Sequence, residues 1–291
     1  MNAYGSQSMA APLQRVLMRS ARNSMRKARH DEWHYGPGFE PEKAAAQHQH
    51  FAELVAASGA AIEWIDDADD GLADSIFTHD PSLMSDHGAI ILSMGKVLRK
   101  PEPALHEEAY RRLGVPILGR IEAPGQVEGG DCVWVDANTL AIGRGVRTNE
   151  AGIRQMEALL SPHGVEVLGF DLPLWSGEDA CLHLMSVISP LAEKLALVYA
   201  PLLPAAFYQL LKSRGVELVE GDADEFAASN GLSLNVLPTA PRQVIAVAGF
   251  PKTKAAMERA GCTVTTFEAD ALCIACEGGP TCLTRPILRR E

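Results

Sequence analysis

The chain has 291 residues, 47% hydrophobic and 22% charged, enough to bury a large core, so disorder is not the expected state. Lys and Arg number 26 against 37 Asp and Glu, and the formal charge of −11 is the wrong sign for a partner built on phosphate backbones or an anionic membrane. No run approaches the roughly 20 apolar residues of a membrane-spanning helix, and the N-terminus lacks the apolar core of a secretion signal, so a cytoplasmic protein is expected.

In chain order, the first feature is a basic stretch, Arg15, Arg19, Arg22, Arg26, Lys27 and Arg29, which imitates an organelle transit peptide in composition. Then a unit begins that occurs five times. A helical pattern ends in glycine and runs straight into a short β-type stretch. FAELVAASG leads into AAIEWI, EEAYRRLG into VPILGR, RQMEALLSPHG into VEVLGF, FYQLLKSRG into VELVEG and KAAMERAG into CTVTTF. Before each glycine, apolar residues recur at three- and four-residue spacings, as with Phe51, Leu54 and Val55, which is one face of an amphipathic helix. The closing residues Gly59, Gly114, Gly164, Gly215 and Gly261 suit the left-handed position that stops a helix, and the aliphatic run after each predicts a buried strand.

The glycines stand 46 to 55 residues apart. Between them lie further strand-like runs, DSIFTH, GAIILSM, DCVWV, TLAIG, KLALVYA and QVIAVAG, so each unit holds about one helix and three strands. Five such units close into a ring, predicting a five-bladed α/β propeller with helices outside and the active site in the centre. The plainer alternative is a three-layer α/β domain with an open sheet. No linker rich in Pro, Gly or Ser divides residues 1–291, which reads as a single catalytic domain. Self-association as a homodimer is left open.

In a ring of repeats, equivalent positions face the same centre. Counting 14 to 21 residues on from each closing glycine reaches Asp80, Glu128, His183, Asn235 and Cys282. Two carboxylates, an imidazole, an amide and a thiol make up a cation anchor, a base, an orienting group and a nucleophile. Singly, each has an ordinary explanation: a buried cysteine is usually inert, and His183 between two leucines suits a core. Their common phase favours a site, and Gly278-Gly279-Pro280 before Cys282 suits close backbone approach to a ligand.

DSIFTHDP, the EGGD at Glu128–Asp131, IGRGVRTN at Ile142–Asn149, the LHL around His183 and the terminal GGPTCLT together resemble the dimethylarginine dimethylaminohydrolases of the guanidine-modifying, or amidinotransferase, superfamily. Arginine deiminases are also similar but carry a helical insertion for which the short connections leave no room. The resemblance implies the same propeller. It implies a nucleophile at Cys282, a general acid/base at His183, an orienting carboxylate at Glu128 and a guanidinium-binding carboxylate at Asp80. Asp74 matches a further acidic pocket position, and Arg99 and Arg147 match positions that would hold a substrate carboxylate. One departure is His79, where the family typically has an acidic residue before the aspartate, so His79 is expected to influence substrate choice.

A guanidinium carbon is a poor electrophile, its charge spread over three nitrogens. Paired carboxylate contacts would fix its plane for a thiolate approaching from above, and the imidazole would protonate the leaving amine and then activate water. The product is ureido, as in conversion of an arginine to citrulline; an amine in place of water would give amidino transfer, or another guanidine could be deiminated. No cofactor or metal is required. The rival from another class is structural zinc on the C-x-x-C pair Cys273 and Cys276 with Cys262 and Cys282, although a second knuckle is missing. A catalytically silent binding propeller is the remaining alternative. With Cys132 and Cys181, six cysteines are too few for a disulfide scaffold, and free thiols are expected.

Overall fold

Each closing glycine does what its position predicts: Gly59, Gly114, Gly164, Gly215 and Gly261 all have φ between 69° and 95°, a region a side chain would strain. In the computed structural model, which describes residues 3–175, 177 and 181–290, the helix before each glycine links two parallel strands of one three-stranded sheet.

The strands are β1 (Leu13–Arg19), β2 (Ala61–Ile65), β3 (Ser82–Ser85), β4 (Gly88–Ile91), β5 (Ile117–Arg120), β6 (Cys132–Asp136), β7 (Thr139–Arg144), β8 (Glu166–Asp171), β9 (Ile188–Ala192), β10 (Leu195–Val198), β11 (Glu217–Glu220), β12 (Val236–Ala240), β13 (Gln243–Val247), β14 (Thr263–Phe267) and β15 (Arg285–Arg289). They form five sheets, β15-β1-β2, β3-β4-β5, β6-β7-β8, β9-β10-β11 and β12-β13-β14. In every sheet the middle strand pairs antiparallel with the first and parallel with the third. The crossovers carry α1 (Pro41–Ala57), α2 (Glu102–Arg112), α3 (Glu150–Leu160), α4 (Ala205–Ser213) and α5 (Pro251–Arg259). The pattern is a five-bladed α/β propeller.

The first blade takes its innermost, fully buried strand from the other end of the chain, Arg285–Arg289, which closes the ring. That blade also accounts for the basic N-terminal stretch: Arg15 and Arg19 are part of β1, and Arg19 is buried, its guanidinium on Asp70 at 2.6 Å. Strand alternation divides the core. Val16 and Met18 pack with Phe51, Val55 and Phe267, while Leu17 between them packs on the other face with Ile287. No helix among the described residues is long and apolar enough to cross a membrane.

One expected strand is absent. DSIFTH contains a 3₁₀ turn over Ala73–Ile76, whose backbone curls so that Asp74 and Asp80, six residues apart, face one cavity.

Candidate active site

A cavity of about 200 Å³ opens at the centre of the ring, lined by residues from all five blades, including Tyr35, Asp74, Asp80, Lys96, Arg147, His183, Asn235 and Cys282. The turns that deliver them are tight. A side chain at Gly130 would stand 2.6 Å from His183 Nδ1, so only glycine lets the EGGD turn pass beneath the imidazole.

Cys282 Sγ accepts a hydrogen bond from Asn235 Nδ2 at 3.1 Å, and the amide is oriented by Thr281 N–H donating to its oxygen at 3.0 Å. Burial pushes the thiol up from its usual value and Asp80 adds to this, while Gly279, Asn235 and His183 pull the other way. A cation arriving beside the sulfur would tilt that balance toward thiolate.

Glu128 is fully buried behind the imidazole. Its Oε2 lies 2.9 Å from His183 Nε2, and its Oε1 accepts the backbone N–H of Gly95 at 2.9 Å and of Lys96 at 3.3 Å. Burial disfavours its charge, but His183 and Arg147 outweigh that and hold the carboxyl at about 2. An ionised carboxylate only accepts, so Nε2 carries a hydrogen toward it, and Nδ1, on the side of Gly130 and Asp80, is the ring nitrogen that the carboxylate leaves unengaged. Burial also opposes charge on His183, yet the sulfur of Cys181, Asp131 and Glu128 together hold it well above the usual imidazole range. Asp131 fixes the loop as well, accepting from Leu184 N at 3.0 Å and Thr148 Oγ1 at 2.6 Å.

Asp80 lines the cavity with Oδ1 on Gly130 N at 2.9 Å and Oδ2 on Arg99 at 2.6 Å, which leaves lone pairs for a guanidinium. Asp74 is held by Tyr35 Oη at 2.7 Å and Lys96 Nζ at 2.6 Å. The fold thus brings together Cys282, His183, Asp80, Asp74, Arg99 and Arg147 around one space, with Glu128 one layer behind.

Two expectations are corrected. Arg99 is not free to receive a substrate carboxylate: it is 5% exposed, and Asp80, Glu102 and Phe77 O engage all but one of its N–H groups. It holds Asp80 in place. Arg99→Met strands two buried carboxylates and is expected to cost about 3–5 kcal/mol in urea unfolding, far beyond any effect on KM alone. His79 does not face the cavity. Its ring turns away into a separate axial pocket, Nδ1 lying 3.0 Å from Thr284 O, because His79 and Asp80 sit in a tight turn that sends their side chains to different sides. His79→Glu is therefore expected to leave substrate preference unchanged.

Lys96, Tyr35, Asp131 and Cys181 were not singled out by sequence reasoning. Lys96 has the clearest signal, a lysine beside Gly95, where a Cβ would stand 3.1 Å from Arg147 Cα. Structural zinc on the four C-terminal thiols finds no support: Cys262 packs in a different apolar cluster from Cys273 and Cys276. Among the described residues, Glu128, Cys181 and His183 bring ligand atoms within 4.8 Å of one another, but Glu128 is already bonded by His183, Arg147 and two backbone N–H groups.

A sequence model of the family "N,N dimethylarginine dimethylhydrolase, eukaryotic" matches residues 21–289. An N(G),N(G)-dimethylarginine dimethylaminohydrolase of Pseudomonas aeruginosa is 29% identical over 245 residues, 84% of this chain and 89% of that one. One of Streptomyces coelicolor is 32% identical over 170 residues, 58% of this chain and 62% of that one. Two solved structures share the fold. A cysteine-to-serine variant from Pseudomonas aeruginosa complexed with citrulline has a TM-score of 0.76 at 24% identity, covering 94% of this chain and 99% of that one. An amidinotransferase from Microseira wollei has a TM-score of 0.77 at 16% identity, covering 99% and 98%. With the family match spanning almost every residue, the chain belongs to the dimethylarginine dimethylhydrolase family.

Proposed function

We propose that the protein hydrolyses a guanidino C–N bond of an arginine-like substrate, an N-methylated arginine or a related guanidine, to a ureido product and an amine. The observation that carries this reading is the facing of Cys282, with its sulfur on Asn235, and the His183–Glu128 pair across a cavity that also contains Asp80. Relatives with the same activity in their names support it.

Asp80 binds the guanidinium N–H groups, and the substrate's positive charge favours thiolate on Cys282. The sulfur attacks the central carbon; a C–N bond breaks and the amine leaves with the Nδ1 proton of His183. The neutral imidazole then takes a proton from water as it adds to the thiouronium carbon, and cleavage of the C–S bond returns the thiol and releases the ureido product. A panel of guanidines scored for ureido product and released amine tests the reading; turnover of none of them overturns it.

The cations available to a substrate carboxylate are Lys96 and Arg147, packed side by side through Gly95, in place of the buried Arg99. Lys96→Met is expected to raise KM about ten- to a hundredfold for guanidines bearing a carboxylate, the loss of one charged hydrogen bond, and to spare guanidines lacking it. Equal effects on both classes contradict this role. We read the whole chain as one catalytic domain working in the cytoplasm, in line with a family match that runs through all five blades.

A further inference from the structure

Behind the catalytic cavity, on the axis of the ring, lies a second, smaller pocket of about 20 Å³. The two share walls. Asp80 and Cys282 face the catalytic side, whereas His79, Thr281, Thr284 and Arg285 face the axial one. A single buried water needs about 10–15 Å³, so the axial pocket accommodates one or two small species and excludes polyatomic ions such as sulfate.

Its chemistry is one-sided. Arg285 and Arg289 both line it, 4% and 6% exposed, and among the described residues no acidic one does. The hydrogen-bond partners of both guanidiniums are carbonyl oxygens: His79 O for Arg285, and Ala11 O at 2.7 Å and Pro238 O at 2.8 Å for Arg289. Among the described residues neither makes an ion pair with a carboxylate. Four residues of the lining also carry a buried nitrogen without a protein partner: Arg285 Nε, Arg289 Nε, Trp134 Nε1 and His79 Nε2. The first three can only donate. His79 gives its Nδ1 hydrogen to Thr284 O, so its Nε2 is the single acceptor of the group.

Two buried positive charges beside one pocket repel each other and are costly without a counter-charge. The consequence is visible in their acidity: burial and Arg285 pull Arg289 down to about 9, and burial lowers Arg285. Buried donors without partners carry a further penalty of their own.

We propose that the axial pocket is an anion site that takes a single halide, chloride under ordinary conditions, on the N–H groups of Arg285, Arg289 and Trp134. A monatomic anion supplies the missing charge, accepts from several donors at once and fits the volume. It also ties β15 to the segment that ends in Asp80, since Arg285 bridges the pocket and His79 O.

The test uses crystals of the full-length protein grown in bromide, whose anomalous scattering distinguishes it from water. The expected result is a bromide peak in the axial pocket within hydrogen-bonding reach of Arg285, Arg289 and Trp134. Water alone in the pocket, with bromide confined to the surface or absent, overturns the proposal. In solution, the melting temperature is expected to rise saturably with chloride or bromide at constant ionic strength, made up with gluconate, which is too large to enter. His79→Glu places a carboxylate beside the same arginines. That variant should lose the halide-dependent rise, because the anion is then covalently supplied. A halide response of the same size in both proteins counts against the site, and the wild-type crystal decides the matter if the variant does not fold.

Discussion

Cys282→Ser is expected to remove at least about three orders of magnitude of turnover while leaving guanidine binding measurable. The loss is large because no other side chain can replace the sulfur at its position. The Asn235 amide and the turn through Gly279 aim Sγ at the cavity, and a side chain at Gly279 would overlap Asn235 at 2.4 Å. A hydroxyl there keeps the geometry but does not ionise, since the neighbours that ease ionisation of a thiol are too weak for an alcohol. Steady-state kinetics with calorimetry of an unreacted guanidine separates the two effects. Near-normal turnover by the serine variant contradicts the assignment.

His183→Ala is expected to lower kcat by about two to four orders of magnitude, with little change in KM, because the imidazole moves protons and touches the substrate only as it reacts. Both half-reactions need it. A substrate whose leaving group departs without a proton should therefore still load the thiol and then stall, since water activation remains impaired. The pH profile gives an independent check. Burial opposes the charge on His183, but Cys181, Asp131 and Glu128 keep it protonated well past the usual imidazole range. Loss of that proton should set the alkaline arm of the wild-type kcat profile above ordinary imidazole titration, and the arm should vanish in the variant. The carboxylate behind it works in the other direction: Glu128 titrates at about 2, below its ordinary 4.5, so its stabilising contribution is complete above that value and is lost on acidification.

The propeller was legible in the sequence because each blade repeats a costly feature. A left-handed glycine at the end of an amphipathic helix is a local requirement, independent of what surrounds it, and it marks the same point in all five units. Asp80, Glu128, His183, Asn235 and Cys282 stand at similar distances after those glycines, and the fold places them around one cavity or directly behind it. What the sequence hid were features settled by distant partners. β9 and β12 contain Pro190 and Pro238, which interrupt a strand pattern and are tolerated only where the ladder does not need their N–H. The closure of β1 by β15 joins residues more than 260 positions apart. DSIFTH has a strand-like pattern because Ile76 and Phe77 look β-like, yet the chain curls there to deliver Asp74.

The two corrected expectations have a common cause. Arg99 and His79 stand close in the sequence to residues that line the cavity, and matching them to a pattern gives both a direct contact with substrate. Arg99 does line the cavity, but its N–H groups are spent on Asp80, Glu102 and Phe77 O, and His79 lines a different pocket. A guanidinium three residues before Glu102 pairs with it at 2.9 Å, and in the turn that carries His79 and Asp80 the imidazole is drawn to Thr284 O, away from the cavity.

The central claim is that a guanidine is opened by covalent attachment to Cys282, and acid quenching during turnover followed by peptide mass spectrometry tests it most directly. Three thiols, Cys181, Cys276 and Cys282, line the same cavity, so the site of the added mass is informative. The account predicts an amidino-derived mass on the Cys282 peptide alone, appearing with substrate and lost as the ureido product accumulates. Product formation with no added mass on Cys282, or with the mass on Cys181 or Cys276, would contradict it.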